Sequence, residues 1–238
     1  MRYLFTTLAV GDEYVNNAFN FYSSIESKTS QCDFNITTNV QLENKDRINF
    51  NYFTLDRYHG SGGGFTFFLN LKVLSLKYAL DKGYDYVIFT DADWGTTDDF
   101  SEEKMLSLFD YMEEKDIDSL FERPNELGYN KEHINECYFK EKIQDYHVME
   151  HTKWDKAHVF NEQFFVLKVN WKFRYFVRRW EEMMWYSIAN DIRNYPDGFE
   201  IGVAALEADM KIDFNEWRGL VKNCFIFYNK LNEPYYRF

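Results

Sequence analysis

The chain has 238 residues, with 24 Phe, 18 Tyr and 6 Trp against 3 Pro, so it can bury a full core and is too aromatic to be a disordered segment. A formal net charge of −12 argues against a broad electrostatic hold on nucleic acid or on an anionic membrane, while a local basic patch stays compatible with it. Cys32, Cys137 and Cys224 are odd in number, far apart and without metal-ligand spacing, which predicts reduced packing residues of an intracellular protein. With no signal peptide and no window of membrane-spanning length, the expected location is cytoplasmic.

In chain order, residues 2–10 predict a strand. Gly11-Asp12 opens a turn into a helix that runs to about residue 28, with Tyr14, Ala18, Phe21, Tyr22 and Ile25 on one face. The turn between them has no GxGxxG, so a dinucleotide fingerprint is absent. Residues 32–41 and 48–55 predict two further strands. The patch His59-Gly60-Ser61-Gly62-Gly63-Gly64 then leads into a helix predicted over 65–82, apolar on two stripes and therefore mostly buried. Glycines before a helix N-terminus let backbone N–H groups approach a phosphate, which makes Gly63 and Gly64 candidate donor contacts. A plain surface loop is the alternative, because the Walker ending is missing. Lys72, on an otherwise apolar helix, either reaches a phosphate or snorkels to solvent.

Tyr86-Val87-Ile88-Phe89-Thr90-Asp91-Ala92-Asp93-Trp94-Gly95 is the most informative stretch: a buried strand ending in two carboxylates one residue apart. Strand tips of mostly parallel sheets are where open α/β folds place ligands. The two acids converge there only if the chain bends, and two hard oxygen donors at this spacing suit Mg²⁺ or Mn²⁺ shared with a phosphate.

Residues 101–115 predict a Ser-capped helix with Glu102 and Glu103 in its first turn, and residues 117–122 a strand. The pattern breaks over 123–154, where only a helix near 131–146 is suggested; His133, His147 and His151 fall there without HxxxH or HExxH spacing. Residues 158–168 read as an apolar strand interrupted by Asn161-Glu162-Gln163, which puts polar groups at a sheet edge or pocket wall. A long aromatic helix over 171–194 carries Arg174, Arg178 and Arg179, whose default is pairing at the surface. Asp197-Gly198-Phe199-Glu200 opens another helix. Residues 209–214 and 224–228 predict closing strands, and the aromatic tail 229–238 is expected to fold over the site.

The order buried helix, apolar strand, Asp-x-Asp resembles the GT-A class of nucleotide-sugar glycosyltransferases, closest in pattern to its glycogenin-type and blood-group-type retaining families. The resemblance implies an α/β fold, a Rossmann-like GT-A single domain over 1–238 with a mostly parallel central sheet flanked by helices. Residues 1–122 would be its nucleotide-sugar-binding half, and 123–238 its acceptor side and closing tail. It implies Asp91 and Asp93 as ligands of Mn²⁺ or Mg²⁺ on the diphosphate of a uridine-based donor, Asp91 also lying near the ribose. The turn with Thr6, Thr7, Ala9 and Gly11 would cradle base and ribose. Glu162 and Gln163 would meet sugar hydroxyls, with Gln163 standing where the family often has glycine and Trp171 matching a tryptophan of the family. Glu200, then Asp197, best match the carboxylate on the reacting face of the sugar, and Glu162 joins them as a catalytic candidate; retaining and inverting chemistry stay open. The family's tail histidine ligand has no counterpart, since no His follows His158. The acceptor stays open among glycan, protein, lipid and modified DNA, as does the oligomeric state. Two other readings stand beside this one. A haloacid-dehalogenase-like phosphohydrolase would use Asp91 as nucleophile and Asp93 as proton shuttle, but Trp94 interrupts its Asp-x-Asp-Gly-Thr pattern and the motif comes late in the chain. A non-catalytic sugar- or nucleotide-binding module is the other.

Overall fold

Alternate side chains of β1 (Tyr3–Ala9) enter two different cores. Tyr3, Phe5 and Ala9 pack with Val15, Ala18, Phe21, Tyr22 and Ile25 of α1 (Asp12–Glu26), whereas Leu4 points to the opposite face and joins Leu71, Leu74 and Leu76. This two-sided burial is what a parallel sheet with helices on both faces demands. The computed structural model describes residues 1–54, 70–122, 160–189, 197–214, 216–221, 223–228 and 234–237.

The chain continues through β2 (Cys32–Thr38), β3 (Ile48–Tyr52), a 3₁₀ turn (Asn70–Lys72), α2 (Val73–Lys77), β4 (Tyr86–Thr90), β5 (Trp94–Thr96), α3 (Glu102–Glu114) and β6 (Ser119–Glu122). Then come β7 (Asn161–Lys168), α4 (Trp171–Ala189), α5 (Asp197–Glu207), β8 (Ile212–Asp213), β9 (Phe225–Tyr228) and β10 (Pro234–Arg237). Among the described residues one sheet has the order β3-β2-β1-β4-β7-β6-β8. Its first four strands are parallel, β7 is antiparallel to both neighbours, and β8 is parallel to β6. The α/β class and the mostly parallel, helix-flanked sheet are as the sequence predicts. A second sheet, β10-β9-β5, is antiparallel.

Several elements differ from expectation. The helix expected over 65–82 is, in its described part, the 3₁₀ turn and the five residues of α2; the chain then turns through Asp81 and Gly83, both at positive φ. Gly83 takes φ +75°, a left-handed backbone that strains side-chain-bearing residues more than glycine. The three-residue β5 was not anticipated, and it ties the segment after the acid pair to β9. Trp94 is buried and stacks on Phe164 with ring centroids 5.5 Å apart. The closing strand over 209–214 shortens to Ile212–Asp213. Helix α3 is capped as expected, the Ser101 hydroxyl accepting from the Lys104 N–H. Cys32 and Cys224 are buried thiols that form no disulfide. The arginines of α4 are paired: Arg174 with Asp81, Arg178 with Glu182, Arg179 with Glu182 and Glu207. Cys137, the glycine patch with Gly63 and Gly64, the suggested helix over 131–146, and His133, His147 and His151 lie outside the described residues.

Candidate functional site

Every residue of β4 is buried, so the strand delivers a rigid end to the sheet's rim. The chain bends there: the Trp94 N–H approaches the Asp91 carbonyl at 3.4 Å, closing a turn that contains both acids. The Asp91 N–H in turn donates to the Gln163 carbonyl at 2.9 Å, which fastens the turn to the start of β7.

Beneath the turn lies Lys72. Its own carbonyl accepts from the Ser75 hydroxyl at 2.6 Å, and the Ser75 carbonyl accepts from the Thr6 hydroxyl at 3.1 Å, so the 3₁₀ turn is anchored to β1. The Lys72 ammonium sits 2.9 Å from Asp91 Oδ1, donates to the Glu162 carbonyl at 3.4 Å and lies 5.6 Å from the centre of the Phe89 ring. The lysine side chain is 5% exposed and that of Asp91 22%, so the cation is the floor of the site and the carboxylate faces outward. Glu162 closes the β7 side. A Cβ built on Gly198 would lie 3.3 Å from Glu162 Oε2 and 2.1 Å from the Phe160 carbonyl oxygen. Only glycine therefore lets α5 dock on the start of β7, a contact sealed by the Phe160 N–H donating to the Gly198 carbonyl at 3.1 Å.

The electrostatics are uneven. Burial pushes the Asp91 carboxyl up to about 7; Lys72 opposes this, while Asp93 and Glu162 add to it. Burial also raises Asp93, against a backbone hydrogen bond and Lys72. Tyr14, in the first turn of α1, is raised by burial and then by Asp93, Glu13 and Asp91. That places its phenol within the field of the acid pair, a role the sequence reading missed by assigning Tyr14 only to the packing face of the helix. Its position just after the tip of β1 was the available signal, since that rim is where α/β folds gather ligand contacts.

The other candidates separate into groups. Asp91, Asp93, Lys72, Glu162 and the Gln163 backbone come together. Gly11, at φ +87° with its N–H on Asn39 Oδ1 at 2.8 Å, lies at the open turn. The side chains of Thr6, Thr7 and Ala9 are buried in the sheet, Thr6 accepting from Asn35 Nδ2 at 2.9 Å. Glu200 is fully buried and accepts from Trp180 Nε1 at 3.0 Å. Asp197 is the first residue of α5. Trp171 is exposed at the start of α4.

The acid pair suits a hard divalent cation. Two partly buried carboxylates are both shifted upward, and among the described residues the Lys72 ammonium meets Oδ1 of Asp91. Among the described residues no three His, Cys, Asp or Glu side chains converge on a metal position. Such an ion would keep water or ligand oxygens in its remaining positions, as Mg²⁺ usually does.

No protein-family model and no curated protein matches the chain. Among solved structures it is similar to the galactosyltransferase LgtC, solved in complex with donor and acceptor sugar analogues. Identity is 13%, the TM-score is 0.50, and the match covers 90% of this chain and 73% of that one. The fold is of the GT-A type. At that identity the likeness establishes the architecture alone, and the chemistry has to be argued from the residues at the rim. Among the described residues no helix is long and apolar enough to cross a membrane.

Proposed function

We propose that the protein is a glycosyltransferase that moves a sugar from a nucleoside diphosphate, uridine-based, to an acceptor hydroxyl, with Mn²⁺ or Mg²⁺ held by Asp91 and Asp93. One observation carries this reading: at the tip of β4 of a GT-A sheet, two partly buried carboxylates hold more negative charge than Lys72 offsets. When bound, the cation would neutralise charge on the diphosphate as it leaves. In the transfer, the bond from the anomeric carbon to the phosphate oxygen breaks, a bond to the acceptor oxygen forms, and the acceptor proton passes to a base.

The chain's residues divide the remaining work. Lys72 fixes Asp91 in one orientation, so the acid turn meets its ligand without reorganising. Gly11 and the first turn of α1, with Tyr14, border the side where base and ribose would lie. Glu162 is favoured over Glu200 as the carboxylate facing the sugar, because Glu200 lies buried under the Trp180 indole. Glycan, protein and lipid acceptors remain open, and charge disfavours DNA.

A panel of nucleoside diphosphate sugars with Mn²⁺, read by release of the nucleoside diphosphate, tests the activity. Slow donor hydrolysis by the wild-type protein and its loss in Asp93→Ala are expected. Phosphate release from simple monoesters, with no response to nucleotide sugars, would favour the phosphohydrolase; nucleotide-sugar binding with no turnover on any acceptor would favour the binding module.

A further inference from the structure

We propose that Glu162 sets the charge class of the donor sugar, admitting neutral or amine-bearing sugars and turning away uronates. This rests on the nucleotide-sugar reading and goes beyond it by naming the sugar. In such a donor the sugar is bonded directly to the diphosphate, so a diphosphate at Asp91 and Asp93 brings it against the groups bordering the acid turn. On the β7 side that group is Glu162, and its position is determined twice. Its carbonyl accepts from the buried Lys72 ammonium at 3.4 Å, and its carboxylate lies against the first turn of α5, 3.3 Å from the point a Gly198 Cβ would occupy. Lys72 is committed to Asp91 at 2.9 Å and is 5% exposed, so it is not offered to the sugar.

Among the described residues the Glu162 carboxylate has no hydrogen-bond or ion-pair partner, and the residue is partly exposed. An ionised carboxylate only accepts hydrogen bonds. A sugar hydroxyl or ammonium supplies the donor it lacks. A uronate brings a second acceptor and a second negative charge against the Glu162 carboxylate. Discrimination of this kind works by a built-in repulsion as much as by attraction to the right partner.

The test is binding by calorimetry at fixed Mn²⁺ of two pairs that differ only at C6, UDP-glucose with UDP-glucuronate and GDP-mannose with GDP-mannuronate, with UDP and GDP alone as controls. For whichever base binds, the neutral sugar is expected to bind about tenfold or more tightly than its uronate, the scale of a like-charge contact in an interface. Glu162→Gln should reduce that ratio to about threefold or less, and Glu162→Asp should keep it. If the Gln variant fails to fold, Glu162→Ala reads the same ratio. A wild-type ratio near one, or an unchanged ratio in a folded Gln or Ala variant, overturns the proposal while leaving the nucleotide reading intact. Failure of both UDP and GDP to bind overturns that reading and the proposal with it.

Discussion

Two lysine–aspartate pairs sit at opposite ends of the same sheet, and they have opposite effects on their carboxylates. At the rim where β4 ends, Lys72 meets Asp91 at 2.9 Å; at the far end, Lys172 meets Asp118 at 2.8 Å, with side chains 15% and 11% exposed. Length and burial are similar, yet Asp91 is pushed up to about 7 and Asp118 is held below its ordinary value. Desolvation is the leading influence at both. The difference lies in what opposes it. Asp118 also accepts from Asn170 Nδ2 at 2.9 Å and from the Lys211 N–H at 2.9 Å, so both of its oxygens have donors. Asp91 has the lysine and then two more carboxylates, Asp93 and Glu162. A satisfied pair joins strands and helices; an under-compensated one marks a candidate site.

The largest expected effect breaks the satisfied pair. Asp118→Ala leaves Lys172 without its carboxylate and should cost about 3 kcal/mol in denaturant unfolding, the scale of a broken buried pair, with nucleotide binding unchanged. A loss under about 1 kcal/mol would mean that Asp118 is not holding the far end together. Trp180→Phe takes one donor from the buried Glu200 and should cost about 1–2 kcal/mol. Lys72→Met is expected to cost about 1 kcal/mol, because Asp91 can take up a proton once its cation is gone, yet nucleotide binding should fall strongly. At the small end, Asp93→Asn removes repulsion at the rim and should leave stability within about 0.5 kcal/mol or raise it.

Acid sharpens the same contrast. The folded-state value of Asp118 is depressed, so its contribution is fully present above the unfolded carboxylate pKa of about 4 and is lost as pH falls through the folded value. Asp118→Asn should therefore flatten the decline of stability between about pH 4 and pH 2. An unchanged slope would put the acid sensitivity elsewhere.

Much of the rim was legible because its signals are local. Five consecutive apolar or β-branched residues, Tyr86 to Thr90, followed by Asp-x-Asp, announce a buried strand with acids at its end, and all five are buried. Non-local features were not legible. Strand β5 exists because Trp94–Thr96 finds β9 some 130 residues later, a pairing no short window contains. Lys72 reads as a snorkelling lysine until a 3₁₀ turn, tied to β1 through Ser75 and Thr6, aims it at Asp91. Thr6 and Thr7 look open to a ligand because hydroxyls in a βα turn often are; in a sheet covered on both faces, both directions from β1 lead into the core.

The central claim is that the acid turn binds a divalent cation together with a nucleoside diphosphate. Mn²⁺ uptake measured by electron paramagnetic resonance, with and without UDP, tests it most directly. The account predicts that UDP promotes uptake of one Mn²⁺ per protein and that Asp93→Asn weakens this about tenfold or more while the protein stays folded. Equal binding of UDP with and without Mn²⁺, or a Mn²⁺–UDP affinity unchanged in Asp93→Asn, would contradict it.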